Sequence, residues 1–320
     1  MRISTVTMTI VLCVFLIGTS QQALAGAVYV AQNGNCHDNT PCVATVQEGV
    51  DLATAGDTVH VYPGTYDKTT FTFEKLIITT PLTLIAVAPG AILQTDGIEV
   101  LADDVTISGF KLAAQAAGGI FVGAVSGGCS SPIPVARTVI ENNEVKNASD
   151  SNGGQHGGIT VCGSHHVTIR DNVMRFASIR IWDTDNSVVE DNVYVASATA
   201  NGPSAEEMTN VAIWLARADN NLIRNNVIRN AGTGILVYDS SAYNTVEMNR
   251  VQHTWQDGIQ VTAANSSSSA GTPTNNIIRL NSVKNCVGVD VKDEEDPIDG
   301  CTNNTWSDNS FKTQSGCATD

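Results

Sequence analysis

Trp182, Trp214 and Tyr238 each have charged residues close by in the sequence: Arg180, Asp183 and Asp185 around the first, Arg217 and Asp219 after the second, Asp239 after the third. Further along come His253, Trp255 and Asp257, then Asp290, Lys292, Asp293, Glu294, Glu295 and Asp296. His156 lies in Gly153-Gly154-Gln155-His156-Gly157-Gly158. Aromatic rings with an exposed face can stack on the C–H side of a sugar. Arg180, His253 or Lys292 could serve as the base that removes the proton beside a uronate carboxyl group, with calcium neutralising the acid. A glycosidase would need two carboxylates instead, about 5.5 Å apart for retention or roughly 6.5–9.5 Å for inversion. Asp257 with Asp290, or Asp183 with Asp185, are the candidate pairs. Asp290 to Asp299 holds six carboxylates, and Asp290, Asp293 and Glu294 are the residues expected to attract calcium, a hard cation that prefers several oxygen donors. The bland reading of such a run is a solvated loop, and its spacing matches no EF-hand.

What positions these residues is a repeat. Seven times an apolar residue, two spacers, an asparagine, one spacer and another apolar residue recur, as in Ile169-Arg170-Asp171-Asn172-Val173-Met174. The asparagines are Asn143, Asn172, Asn192, Asn226, Asn249, Asn281 and Asn309, 20 to 34 residues apart. That spacing signals a solenoid of stacked coils. An asparagine at the same bend of every coil can tolerate a left-handed backbone and bond to its counterparts above and below, so the ladder is read as structural.

A second repeat reads Gly-Ile-x-Val in its clearest copies, at Gly97, Gly119, Gly158, Gly234 and Gly258, with looser copies at Ile179-Arg180-Ile181, Ile213-Trp214-Leu215 and Val289-Asp290-Val291. Alternation over three or four residues, broken by Asn and Gly, marks short strands. Stacking coils at about 4.8 Å makes parallel sheets around a narrow aliphatic interior. Outward positions then align. One column runs Phe121, Thr160, Arg180, Trp214, Leu236, Gln260 and Asp290; the next runs Gly123, Cys162, Trp182, Ala216, Tyr238, Thr262 and Lys292. Trp182, Trp214, Tyr238, Gln260 and His156 are the expected substrate-binding residues. Arg180 and Lys292 fall four coils apart, about 19 Å, and cannot share one reaction centre. Insertions lengthen the coils at Gly123 to Val135, Asn147 to His156, Ser197 to Asn210 and Ala264 to Thr274. Loops on a rigid scaffold are where binding residues gather, although solenoids also simply tolerate insertions.

These repeats resemble the right-handed parallel β-helix proteins of the pectin-lyase-like superfamily, over nearly the whole chain after its first 25 residues. The start is similar too: Thr45-Val46-Gln47-Glu48-Gly49-Val50-Asp51-Leu52-Ala53, then Ala55-Gly56-Asp57-Thr58-Val59-His60-Val61, then Pro63-Gly64-Thr65-Tyr66. In that family this segment is a short helix plugging the barrel, followed by the first coil. Thr45 and Glu48 can form a capping box, Val46, Val50 and Ala53 share a face, and Gly56 can close the helix. The expected fold is an all-β, right-handed parallel β-helix of about 9–10 coils, with a capping segment over about 28–58 and coils over about 59–311. The resemblance implies polysaccharide as partner. It does not extend to the superfamily's polygalacturonases, whose Asn-Thr-Asp, Asp-Asp, Gly-His-Gly and Arg-Ile-Lys series is missing; Asp103-Asp104 sits at a repeat bend and Gln155-His156-Gly157-Gly158 is a partial echo.

Residues 1–25 read as a secretory signal peptide, with Arg2 before an apolar stretch from Met8 to Gly18. The remainder, 26–320, reads as one elongated domain, secreted, periplasmic or on the cell surface. Without Arg2, 16 basic residues face 32 acidic ones, which disfavours nucleic acid and anionic membranes. No other apolar stretch could insert in a membrane. Beyond Cys13 there are seven cysteines, an odd number that leaves one unpaired. Cys36–Cys42, flanking a short polar loop, is the first expected disulfide; Cys129–Cys162 and Cys301–Cys317 are others. The functional expectation is a secreted protein that binds and could degrade polysaccharide, with uronate β-elimination ahead of hydrolysis. The alternative is a non-catalytic carbohydrate-binding or adhesin-like scaffold.

Overall fold

Coil after coil, the chain visits three sheets in a fixed order. In one turn these strands are Leu222–Arg224 in sheet A, Val227–Arg229 in sheet B and Thr233–Tyr238 in sheet C. A computed structural model describes residues 25–67, 75–113, 119–124, 129–146, 158–196, 210–263, 271–294 and 303–318. Among them sheet A has twelve strands, sheet B nine and sheet C ten, each strand pairing in parallel with the next coil's. Nine coils are complete in all three sheets, within the expected number. Residues 1–24, on which the expected signal peptide falls, lie outside the described residues. Among those described, no helix is long and apolar enough to cross a membrane.

The inward positions stack like with like. Ile120, Ile159, Ile179, Ile213, Ile235 and Ile259 follow one another along sheet C, all buried. A coil offers two or three inward positions per strand, so β-branched side chains fill the width and few rings fit.

The seven ladder asparagines bond as expected but are not themselves left-handed. Asn226 shows the unit: its Oδ1 accepts from Asn192 N and Nδ2, both at 3.1 Å, and its Nδ2 donates to Asn249 Oδ1 at 3.0 Å and Val189 O at 2.9 Å. The left-handed residue is the one before, with φ of 54–58° at Asn142, Asp171, Asp191, Asn225, Met248, Leu280 and Asp308. The turn is made there, and the asparagine that follows it is buried in the wall. A second ladder, unread in the sequence, runs at the bend into sheet A through Ser187, Asn221, Asn244, Asn276 and Asn304.

The N-terminal plug is helix Val46–Leu52. Its capping box is present: Glu48 N donates to Thr45 Oγ1 at 3.2 Å and Thr45 N to Glu48 Oε2 at 3.1 Å. Val46 and Val50 are buried on the barrel end. The helix ends at Ala53 in extended backbone, so Gly56, with φ of 91°, closes the following turn and not the helix. Buried Gln47 completes the plug. Its Nε2 donates to Ile77 O at 3.1 Å and its Oε1 accepts from Ile77 N at 2.9 Å, giving the first strand of sheet C the two bonds a neighbouring strand would supply.

Cys36–Cys42 and Cys129–Cys162 are disulfides, Cys317 is disulfide-bonded, and Cys286 is the free thiol among the described residues. Cys301 lies outside the described residues.

One expectation about register is corrected. The last strand of sheet C but one is Val291–Asp293, pairing Gln260 with Lys292 and Val261 with Asp293. Lys292 therefore belongs to the first outward column, Asp293 points inward, and Asp290 precedes the strand. Asp293 is tolerated inside because Trp306 Nε1 donates to its Oδ2 at 2.9 Å, a bond that periodicity cannot reveal.

Candidate functional site

The outward face of sheet C changes character along the helix. In its first half the outward residues Glu99, Phe121, Thr160 and Cys162 are buried, contrary to the exposed column expected from the repeat. Two features among the described residues cover them. Lys75 pairs with Glu99 at 2.8 Å, and the Cys129–Cys162 bridge packs with Phe121 and Ala124 as a small cluster outside the barrel.

Where that cover ends, the aromatic residues begin. Trp182 contacts Trp214 with ring centroids 5.6 Å apart and planes at 85°, and Trp214 contacts Tyr238 at 6.0 Å and 73°. The rings zigzag across two columns, since Trp214 pairs in register with Arg180 and Leu236 while Trp182 and Tyr238 flank Ala216. Ala216 is the small residue that leaves room for this. Arg180 lies over the Trp214 ring at 5.3 Å and Arg217 over Trp182 at 5.5 Å, within cation–π range. The indole N–H groups of Trp182 and Trp214 are buried without a hydrogen-bond partner among the described residues.

Arg217 is held by carboxylates from the coils on either side. Its Nε and Nη2 donate to Asp183 at 2.8 and 2.9 Å, and its Nη1 to Asp239 at 3.0 Å. All three residues occupy the left-handed bend that leaves sheet C, with φ of 48°, 48° and 46°. The bonds to Asp183, with those to Asp239, push the guanidinium pKa above its ordinary value. This bridge was not legible in the sequence, because its partners are 34 and 22 residues away.

Beyond Tyr238 the strip turns polar. Lys292 Nζ lies 2.6 Å from Glu294 and 3.7 Å from Asp257, and Thr262 donates to Glu294. The Glu294 bond raises the lysine above its usual pKa. Burial pushes the Glu294 carboxyl up, but bonds from Lys292 and Thr262 overcome this and hold it below the usual range. Lys292 is thus a fixed ammonium with two carboxylates in its reach, unsuited to take a proton at neutral pH.

Residues 96–272 and 208–319 match the family model described as a right handed beta helix region. The chain belongs to the right-handed β-helix family. Among solved structures this β-helix is similar to the Dettilon tailspike protein, with TM-score 0.57 and 13% identity over 89% of this chain and 59% of that one. It is also similar to the tailspike protein of E. coli bacteriophage HK620 in complex with a pentasaccharide, with TM-score 0.51 and 10% identity over 81% of this chain and 50% of that one. The chain therefore spans between half and three-fifths of the length of these proteins. No curated protein matches it in sequence.

The remaining candidates of this β-helix do not converge on the aromatic strip. His253 sits exposed, with φ of 57°, at the bend between sheets B and C. Asp290 is buried and turned to backbone: it accepts from Lys312 N at 2.8 Å, Thr313 N at 3.3 Å and Cys286 N at 3.3 Å. It neither pairs with Asp257 nor faces the strip. Asp257 instead accepts from Val289 N at 3.0 Å. The three expected calcium ligands are separated, Asp290 in a turn, Asp293 inward and Glu294 outward. Among the described residues no group of three metal-ligating side chains comes together. Asp183 and Asp185 also part, the former to Arg217 and the latter accepting from Asp219 N at 3.0 Å. His156, Glu295 and Asp296 lie outside the described residues.

Proposed function

We propose that the chain binds polysaccharide along the outward face of sheet C, from Trp182 and Trp214 through Tyr238 to Gln260, and that recognition by stacking is its main activity. The observation that carries this is the run of three mutually tilted rings on consecutive coils, beginning where the Cys129–Cys162 cover stops. Rings on coils that repeat at about 4.8 Å, with centroids 5.6 and 6.0 Å apart, suit consecutive units of an extended glycan. Contiguous aromatic surface on an outward face marks interaction. The pentasaccharide held by the HK620 tailspike, a protein of the same fold, agrees with this reading.

Cleavage is less well supported. Lys292 is a tethered ammonium, His253 stands at another edge, and Arg180 is four coils from Lys292. The remaining enzymatic reading rests on Asp257 and Glu294, two carboxylates within one lysine's reach.

A panel of neutral and uronate polysaccharides, with and without calcium, separates these readings when followed by affinity electrophoresis, by absorbance of unsaturated product and by reducing ends. Binding without product is expected. Trp182→Ala and Trp214→Ala should each weaken it about tenfold, as loss of one stacking contact costs about 1–1.5 kcal/mol. Binding unchanged in both variants would overturn the assigned face, and product formation would move the reading to an enzyme.

A further inference from the structure

Four large apolar side chains are exposed on two consecutive coils of sheet A. Tyr243, Met248, Ile277 and Leu280 are 60%, 45%, 39% and 50% exposed. Three of them also occupy left-handed bends, with φ of 58° at Tyr243, 54° at Met248 and 58° at Leu280. In other coils the column of Met248 and Leu280 holds Asn142, Asp171, Asp191, Asn225 and Asp308, and the column of Tyr243 holds Asp104, Arg137 and His166 in the earlier coils and Asn186, Asn220 and Asn275 in the nearer ones. Asn and Asp accept this conformation through local bonds. For other side chains with a Cβ it costs roughly 1–2 kcal/mol. An exposed methionine or leucine there therefore bears a conformational penalty and stays in contact with water.

Between these apolar ends lie charges of fixed order. The third residue of the sheet A strands, which faces outward, runs Glu141, Arg170, Glu190, Arg224, Glu247 and Arg279, alternating in sign at every coil. Within the chain each arginine reaches back to the glutamate of the preceding coil, at 2.6, 2.6 and 2.7 Å. An alternating column is complementary to its own reverse. A two-fold axis in the plane of the face, parallel to the strands and midway between Thr245–Glu247 and Ile277–Arg279, reverses the coil order and keeps the columns. It sets Glu247 of each copy opposite Arg279 of the other, Met248 opposite Leu280, and Thr245 opposite Ile277.

We propose that this face of sheet A is a docking surface for a second copy of the chain, joined through that two-fold axis. The Met248–Leu280 pairs close one end of the contact, Ile277 and Tyr243 meet Thr245 and Asn275 at the other, and the four charges form an alternating cluster between them. Isologous contacts of this kind use one patch twice. Sheet C lies on another side of the coil, so the pairing leaves both aromatic strips open and presents two of them on one particle.

Sedimentation equilibrium of the full chain tests this. Between about 1 and 100 µM the weight-average mass should rise toward twice that of one chain; one-chain mass throughout would overturn the proposal. The double variant Met248→Asn with Leu280→Asn should stay at one-chain mass and, at concentrations low enough that the wild-type chain is unpaired, melt at the same or a higher temperature, because asparagine suits both bends. Tyr243→Asn, which installs the residue found at the same bend in neighbouring coils, should weaken association at least fivefold without loss of fold. Dimers of undiminished strength in both variants would show that the contact lies elsewhere.

Discussion

At the scale of single residues, the asparagines and the aromatic rings divide the labour. Asn226 makes five bonds through one amide, all inside the wall, and its removal leaves donors and acceptors of two neighbouring coils unpaired. Asn226→Ala should cost roughly 2–4 kcal/mol, read from urea midpoints, whereas a loss below about 0.5 kcal/mol would show that the ladder is dispensable. Cys286 gives a second residue-level prediction. Burial pushes its thiol up to about 11 from 9.0. A raised pKa means that the folded chain keeps a proton the unfolded chain releases, so this contribution to stability is complete below about pH 9 and is lost as pH rises towards 11. At pH 7.5 iodoacetamide should label Cys286 slowly in the folded protein and quickly in urea. Fast labelling of the native chain would contradict the half-buried environment that raises the thiol.

The elements differ in how much of them could be read beforehand. The helix Val46–Leu52 was legible because a capping box is local chemistry, written in Thr45 and Glu48 three residues apart. The role of Gln47 was not, since its partner Ile77 is 30 residues away and joins it only when the plug is seated. Gln47→Leu should accordingly destabilise the protein more than Thr45→Ala. The helix cap is worth about 1 kcal/mol, while the glutamine leaves two backbone groups of a sheet edge unpaired at about 1–3 kcal/mol each. Hydrogen exchange at the Ile77 amide should accelerate only in the glutamine variant. Equal destabilisation with unchanged exchange would remove Gln47 from the edge-capping role. The second ladder was open to discovery: Asn221/Asn226, Asn244/Asn249, Asn276/Asn281 and Asn304/Asn309 repeat the same interval of five. It escaped because earlier coils place Ser187 and Val167 at that bend.

For the whole molecule, the proposed pairing through sheet A makes a statement about thermodynamics as well as mass. If two chains fold into one particle, the thermal midpoint must rise with protein concentration. The Met248→Asn with Leu280→Asn variant should lose this dependence while keeping its midpoint at low concentration. A wild-type midpoint independent of concentration over two decades would count against the dimer. Net charge bears on partners at the same scale. The formal value of −15 disfavours polyanions, and on the strip both Arg217 and Lys292 are bound to carboxylates.

The sequence by itself determined the coil, its length and most of its register, because a solenoid repeats its local chemistry every turn and each turn contacts only its neighbours. Seven asparagines and the Gly-Ile-x-Val strands were enough to place Trp182, Trp214 and Tyr238 on one outward face. The tertiary structure decided what depends on distant residues meeting. It buried Phe121 and Thr160 beneath a covered half of sheet C, bridged Asp183 and Asp239 through Arg217, and tied Lys292 to Glu294. It also shifted the strand Val291–Asp293 so that Asp293 faces inward to Trp306. Periodicity says which way a residue points. What it meets there depends on groups brought in from other coils.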